Sequence, residues 1–290
     1  MKRRTFVRTA AMAAAGMALT PAFSKGRDYR IGLQLYTLRD IIFKDPKGVL
    51  KMATDLGYQD FEVFGYNDGK LFGMPVKEFT TYVRSLGARI TSGHYSFGKD
   101  EMFKGRTTIL NGWDHAVVDA KEAGQEFMVL AHLTKNENKT LDDYKFVCEK
   151  LNNAGEACRK AGIKLQYHNH DFEFNPIEGQ IPFDLMLKEL DPALVSIELD
   201  LYWITYAGYQ PVDYFKKYPG RFEQWHVKDM DRNDRKKNAD VGTGTMDFKS
   251  LFVHAEESGL KHFYIEHDSY PSNSTESVKV DAKNIKAILQ

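Results

Sequence analysis

Leu141–Ala161 has the spacing of an amphipathic helix, Gly162 follows it, and Ile163-Lys164-Leu165-Gln166-Tyr167-His168-Asn169-His170 then runs on as a strand ending in imidazoles and an amide. Glycine one residue past a helix adopts the left-handed conformation that stops it, so this junction predicts a helix turning directly into a strand. The same junction recurs at Gly57 before residues 58–64, Gly87 before 88–92, Gly124 before 125–131 and Gly259 before 260–265. Residues 30–36, 194–201 and 222–227 complete eight strand candidates. Helical stretches lie between them, among them 46–56, 76–86, 141–161, 183–190 and 248–258. Eightfold strand and helix alternation without a Pro/Ser-rich linker predicts one α/β domain, a parallel (β/α)8 barrel over residues 25–290. In such a barrel the chemistry sits at the carboxyl ends of the strands.

The 290-residue chain has 40 Lys plus Arg against 40 Asp plus Glu, so no whole-molecule field draws it to nucleic acid or anionic lipid. Hydrophobic residues at 42% and aromatics at 13% supply a large core, which excludes a disordered chain. No apolar run long enough for a membrane span occurs beyond the amino end. That end differs from the rest: Met1-Lys2-Arg3-Arg4-Thr5-Phe6-Val7-Arg8 precedes a small, apolar stretch and then Pro21-Ala22-Phe23-Ser24. A charged head, a short apolar middle and small residues near a cut point predict a signal peptide over residues 1–24, with the arginine pair suggesting the twin-arginine type and a periplasmic or exported destination. Cys148 and Cys158, the two cysteines, are ten residues apart on one predicted helix, roughly 15 Å along its axis, too far for a disulfide.

Polar residues interrupt the apolar strands near their carboxyl ends: Gln34 and Tyr36 on the first, Glu62 on the second, His94 on the third, and His168, Asn169 and His170 on the fifth. The sixth carries Glu198 and Asp200, the seventh His226, Lys228 and Asp229, and the eighth Glu266, His267 and Asp268. Residues two apart share a strand face, so His168 with His170, Glu198 with Asp200, His226 with Lys228 and Glu266 with Asp268 are placed toward the barrel interior. Carboxylates and imidazoles converging on one mouth need compensation by each other or by a cation, and a divalent metal with open positions for substrate meets that need. Lys228 is read either as a group that neutralises an enediolate or donates a proton, or as a structural partner of a strand-end carboxylate such as Glu198. Gly242-Thr243-Gly244 has no strand immediately before it and no later glycine, so it reads as a turn leading to Asp247, a cap for the helix starting at Phe248, and not as a phosphate cradle.

From Arg30 onward the chain resembles the xylose isomerase-like TIM barrels grouped as sugar phosphate isomerases and epimerases. The motifs that carry the likeness are residues 31–37 on strand one, Tyr167-His168-Asn169-His170-Asp171-Phe172-Glu173-Phe174 on strand five, Glu198-Leu199-Asp200, Trp225-His226-Val227-Lys228-Asp229, and Gly242-Thr243-Gly244 with Asp247-Phe248. The resemblance implies one divalent ion, manganese first and magnesium, cobalt or zinc as alternatives, held by a Glu, an Asp, a His and a Glu from strands five to eight. Asp200, His226 and Glu266 match in type; the strand-five Glu is replaced by His168, which we favour as ligand over Glu173 reaching in from the loop. It also implies a carbohydrate substrate, contacts to it from Glu62, His94, Trp203, Arg232 and Glu173, and a homodimer, since relatives often pair. Glu266, Lys228 and His170 stand as the candidate catalytic groups.

A metal-bound neutral imidazole is no base through the same nitrogen, so Glu266 is the remaining metal-side carboxylate base and a symmetrical two-base epimerisation is less secure than in the relatives. The leading expectation is a metal-dependent isomerase or epimerase that removes a proton next to the carbonyl of a sugar or keto-sugar. The alternatives are a lyase eliminating a β-substituent from a 3-keto-glycoside and a non-catalytic exported sugar-binding protein. An endonuclease of this barrel type needs several zinc ions and a basic surface; the balanced charge and the few spare His and Glu ligands argue against it.

Overall fold

The five junction glycines, Gly57, Gly87, Gly124, Gly162 and Gly259, all have φ between +74° and +104°. Each ends a helix where a side chain would be strained, and turns the chain back toward the sheet. A computed structural model describes residues 29–290; the predicted signal peptide lies outside the described residues. Its barrel strands are β1 (Gly32–Gln34), β2 (Asp60–Val63), β3 (Arg89–Tyr95), β4 (Phe127–Leu130), β5 (Lys164–His168), β6 (Val195–Asp200), β7 (Gln224–Val227) and β8 (His262–Ile265). Each pairs in parallel with the next, and β8 pairs with β1, closing the (β/α)8 barrel.

The helices are α1 (Pro46–Leu56), α2 (Val76–Ser85), α3 (Trp113–Ala123), α4 (Leu141–Ala161), α5 (Pro182–Glu189), α6 (Leu201–Tyr206), α7 (Pro211–Lys217), α8 (Phe248–Phe252), α9 (Ala255–Ser258) and α10 (Ser274–Ile288). The starts of α1 and α4 are set by local chemistry. Asp45 accepts from the amide of Gly48, while Thr140 and Asp143 form a reciprocal capping box. Asp247 caps α8 through Ser250 N as read from the sequence. Two expectations change. The helix over 248–258 is broken at Val253-His254 into α8 and α9, His254 N bonding back three residues to Leu251 O. The first strand stops at Gln34, because its side-chain oxygen accepts from Tyr36 N and starts a 3-10 turn over Leu35–Leu38, which leaves Tyr36 exposed at the rim instead of on the strand. Among the described residues no helix is long and apolar enough to cross a membrane.

Apolar residues on the outward faces of the strands, including Leu33, Phe61, Leu165, Ile197, Trp225 and Phe263, are buried in the core that includes the helices' apolar residues. The inward faces differ from the branched aliphatic filling usual in such barrels. Gln166, Ser196 and Gln224 are buried there, with Gln166 Nε2 donating to Ser196 Oγ at 2.8 Å and Gln224 Nε2 to the Tyr264 hydroxyl at 2.9 Å. Near the amino ends of the strands Asp60, 1% exposed, takes Arg30 and Arg89 at 2.8 Å and His262 at 3.2 Å. Burial alone would raise the Asp60 carboxyl, but His262, Arg89 and Arg30 outweigh it and lower it from 3.8 to about 2. A folded value below the unfolded one gives stability that is complete above the unfolded value and fades as pH falls through the folded value. Asp60→Asn is therefore expected to lower the unfolding free energy at pH 7 by about 3 kcal/mol, with the gap to the parent chain closing between pH 4 and pH 2, as read by urea denaturation at several pH values.

Candidate active site

Strand register decides which side chains meet. His168 stands beside Glu198, Asp200 beside His226, and Gln34 beside Glu62 on neighbouring strands. At the carboxyl-end mouth, His168, Asp200, His226 and Glu266 are all buried, and one ligand-type atom from each lies within 4.8 Å of the others. His226 Nδ1 is 2.8 Å from Glu266 Oε2, and His168 Nε2 is 3.6 Å from Asp200 Oδ2. Lys228, 1% exposed, reaches the same carboxylates: Nζ lies 2.6 Å from Glu266, 2.9 Å from Asp200 and 2.9 Å from Asp268. Its partners are thus the top-layer carboxylates. Glu198, the partner suggested by the sequence, sits one side chain lower because it comes two positions before Asp200 on the same strand.

That lower layer is a second converging set, made of His94, His168, Glu198 and His226. Glu198 Oε2 is 2.8 Å from His94 Nε2, 3.0 Å from His168 Nδ1 and 3.3 Å from His226 Nε2. Glu62 is fully buried beside it. Its Oε1 accepts from Ser92 Oγ at 2.6 Å, and its Oε2 lies 2.8 Å from Gln34 Nε2 and 2.6 Å from His226 Nε2. Glu62 is therefore enclosed beneath the imidazoles with both oxygens engaged, and His94 lies between Glu62 and Glu198. The fold gathers more His and Glu donors than the sequence had suggested were spare.

The electrostatics follow from these contacts. Burial works against charge on His226 and Lys228, but Glu198, Glu266 and Glu62 hold the His226 imidazole well above its usual range, and Asp200, Asp268 and Glu266 do the same for the Lys228 ammonium. His94 is likewise raised to about 9 by Glu62 and Glu198 despite burial. His168 goes the other way: burial and the neighbouring His226 and His170 keep it neutral. Burial raises Asp200 to about 6, with Lys228 and His226 opposing it. Glu266 is held low by Lys228 and His226 in spite of burial.

The residues present fit a divalent cation. Two imidazoles and two carboxylates are a common donor set for such ions. Asp200 Oδ2 is buried and makes no aligned hydrogen bond even though Lys228 Nζ is 2.9 Å away. Glu173 does not join this set. It is buried against the outward-facing Tyr167, whose hydroxyl donates to Oε1 at 2.5 Å, while His170 N donates to Oε2 at 2.8 Å, and burial pushes its carboxyl up to about 8. The strand-five donor that meets Asp200, His226 and Glu266 is His168.

Beside this centre the rings of His170 and Trp203 are 5.7 Å apart, Phe172 stacks on His170 at 5.6 Å, and Lys228 Nζ lies 5.9 Å over Trp203. His170 Nδ1 and Trp203 Nε1 are buried without a hydrogen-bond partner, leaving one imidazole nitrogen and one donor unused at the mouth. His132, which sequence reading passed over, packs edge-on against His170 at 4.7 Å; its position two residues past β4 was the available signal. Arg232 is exposed, its Nε donating to Thr243 O at 3.1 Å, and it makes no contact with the buried cluster. On the outer side of β8, His267 Nε2 lies 2.8 Å from Asp281 of α10, both residues buried, and this pair ties the strand end that carries Glu266 to the last helix.

The loop after β7 is organised by Asp229. Its Oδ2 accepts from Gly242 N and Gly244 N, both at 2.9 Å, and its Oδ1 from Met230 N at 2.8 Å and Met246 N at 3.0 Å. A Cβ on Gly244 would stand 2.3 Å from Asp229 Oδ1 and from Met230 O, so glycine is required there.

Comparison with known proteins agrees with the barrel fold. A curated relative, an inosose dehydratase of Bacillus anthracis (strain CDC 684 / NRRL 3495), is 25% identical over 134 residues, which are 45% of this chain and 44% of that protein. The match thus spans less than half of the relative's length. Two solved structures, both described as sugar phosphate isomerase/epimerase from Parabacteroides distasonis ATCC 8503, are similar over most of their length. One is 30% identical with a TM-score of 0.75, covering 94% of this chain and 100% of the other. The second is 27% identical with a TM-score of 0.77, covering 90% and 99%. The family model described as "Xylose isomerase-like TIM barrel" matches residues 50–288, and the chain belongs to that family.

Proposed function

We propose that this chain is a divalent-metal-dependent enzyme that removes the proton next to the carbonyl of a sugar or keto-sugar, leading to isomerisation or epimerisation. The observation that carries this reading is the convergence of buried His168, Asp200, His226 and Glu266 around Lys228 at the barrel mouth. Bound by those four residues, a divalent ion supplies Lewis-acid polarisation of the substrate carbonyl and alcohol oxygens. Glu266, kept ionised by Lys228 and His226, is the base for the α-proton. The Lys228 ammonium balances the charge that develops on the enediolate oxygen. His170 Nδ1 and Trp203 Nε1 are available for substrate hydroxyls, and the Trp203 and Phe172 rings form an apolar wall for a sugar face.

One observation favours a second outcome of the same first step. With His168 in the top layer and Glu173 turned outward, Glu266 has no matching glutamate across the centre to return a proton to the opposite face. A base on one side and a proton donor for a departing group suffice for elimination, in which the α C–H and the β C–O bonds break, a C=C bond forms, and the leaving oxygen takes a proton. The similarity to inosose dehydratases is in keeping with such a lyase, and a 3-keto-glycoside is its proposed substrate. We further propose that the protein acts outside the cytoplasm, on the reading of residues 1–24 as a signal peptide, and that it is a homodimer, as the family resemblance implies.

Elemental analysis of the purified chain is expected to find about one divalent ion, manganese first, and Asp200→Ala and His226→Ala are expected to lose it; equal content in all three removes the basis of this function. In deuterium oxide, 3-keto-glycosides and simple ketoses are expected to exchange their α-proton, with Glu266→Gln slower by about 100-fold or more. Release of aglycone assigns the lyase, a rearranged sugar with every bond intact assigns the isomerase or epimerase, and no exchange with any substrate, alongside retained sugar binding, assigns the non-catalytic reading.

A further inference from the structure

The two sets of donors share His168 and His226, but each ring turns a different nitrogen to each set. His226 presents Nδ1 to Glu266 at 2.8 Å and Nε2 to Glu62 at 2.6 Å. His168 presents Nε2 to Asp200 at 3.6 Å and Nδ1 to Glu198 at 3.0 Å. The carboxylates on both sides of His226 favour its doubly protonated form when no cation is bound; a ring that gives a lone pair to a cation keeps one proton, on the opposite nitrogen, so the hydrogen bond made by one nitrogen decides what the other offers. We infer that Glu62 and Glu198 are positioning residues of the metal centre: they fix His226 protonated at Nε2 and His168 protonated at Nδ1, which leaves His226 Nδ1 and His168 Nε2 as the lone pairs facing Asp200 and Glu266.

The support extends below the two carboxylates. Glu62 is itself oriented by Ser92 Oγ on Oε1 and Gln34 Nε2 on Oε2, the latter its register neighbour on β1. Gln34 is in turn held because its oxygen accepts from Tyr36 N. Glu198 belongs to β6, the strand that also carries Asp200, so one element supplies a carboxylate at the top of the centre and the acceptor beneath it. All of these groups sit on barrel strands or directly at their ends, where small rotations are resisted by packing on both faces. The arrangement also gives a physical account of an imidazole at position 168 in the barrel interior. An imidazole has a back nitrogen that must be satisfied in the barrel interior, and Glu198 is the group that satisfies it.

This inference rests on the metal-dependent reading, and its test separates the two. The first measurement is the ring nitrogen NMR spectrum of the full chain, labelled at histidine and loaded with zinc alone. Protons on His226 Nε2 and His168 Nδ1 are expected; protons on His226 Nδ1 and His168 Nε2 would place the ion in the lower set with Glu198 and His94 and overturn the inference. The second is zinc affinity by competition with a chromogenic chelator, and the visible spectrum of the cobalt-loaded protein, for Glu62→Gln and Glu198→Gln. Both are expected to bind zinc 10- to 100-fold more weakly than the parent and to shift the cobalt bands, while Asp60→Asn, which removes a buried charge from the other end of the barrel, leaves both readouts unchanged. Parental affinity and spectrum in both glutamine variants overturn the positioning role while the metal reading stands. A parent chain that binds neither zinc nor cobalt overturns the metal reading and this inference with it. Should a glutamine variant fail to fold, the ring spectrum of the parent decides the matter.

Discussion

Four carboxyl groups, those of Glu62, Glu198, Asp200 and Glu266, are buried together at one end of the barrel, with the exposed Asp268 at its rim, and the surrounding structure is arranged to balance that charge. Side chains from β3, β5 and β7 supply His94, His168 and His226, and Lys228 follows β7 directly. A carboxylate in such a place is tolerable only with partners at hydrogen-bond distance. The result is layered: Lys228 serves the top carboxylates, the three imidazoles crowd Glu198, and Gln34 with Ser92 completes Glu62. Removing one member leaves another buried and unmatched, so the cluster behaves as a unit.

The apolar part of the molecule lies elsewhere. With the barrel interior lined by Gln166, Ser196, Glu198, Gln224 and Tyr264, the burial that stabilises the fold is concentrated in the ring between strands and helices, where Trp225 stacks on Phe215 at 5.0 Å and Phe263 meets Phe252 at 5.2 Å. This separation lets the interior carry chemistry without weakening the layer that holds the strands in register.

The sequence is informative where structure is local. The left-handed glycines mark every helix-to-strand turn they were expected to mark, and strand alternation correctly sends His168, Asp200, His226 and Glu266 inward. It is silent where height and register in a closed sheet decide the matter. Whether Lys228 meets Glu198 or Asp200 depends on a displacement of one pleat that only barrel closure fixes. Glu173 looks like a ligand by type and spacing, yet the chain turns after His168 and sends it to the outer face, against Tyr167. Tyr36 leaves the first strand because a single side-chain oxygen, that of Gln34, captures its amide. Alternation alone places His168 toward the barrel interior; that Glu198 lies 3.0 Å from its Nδ1 could not be read from it.

The loop after β7 has a consequence for what this protein can recognise. Converging backbone amides around glycines make a receptor for an external anion, but here a carboxylate of the chain itself, Asp229, already fills that receptor with bonds to Gly242, Gly244, Met230 and Met246. The loop is an anion hole plugged from within. It gains a fixed shape from that internal guest, and a phosphoryl group arriving from solution finds its natural berth taken.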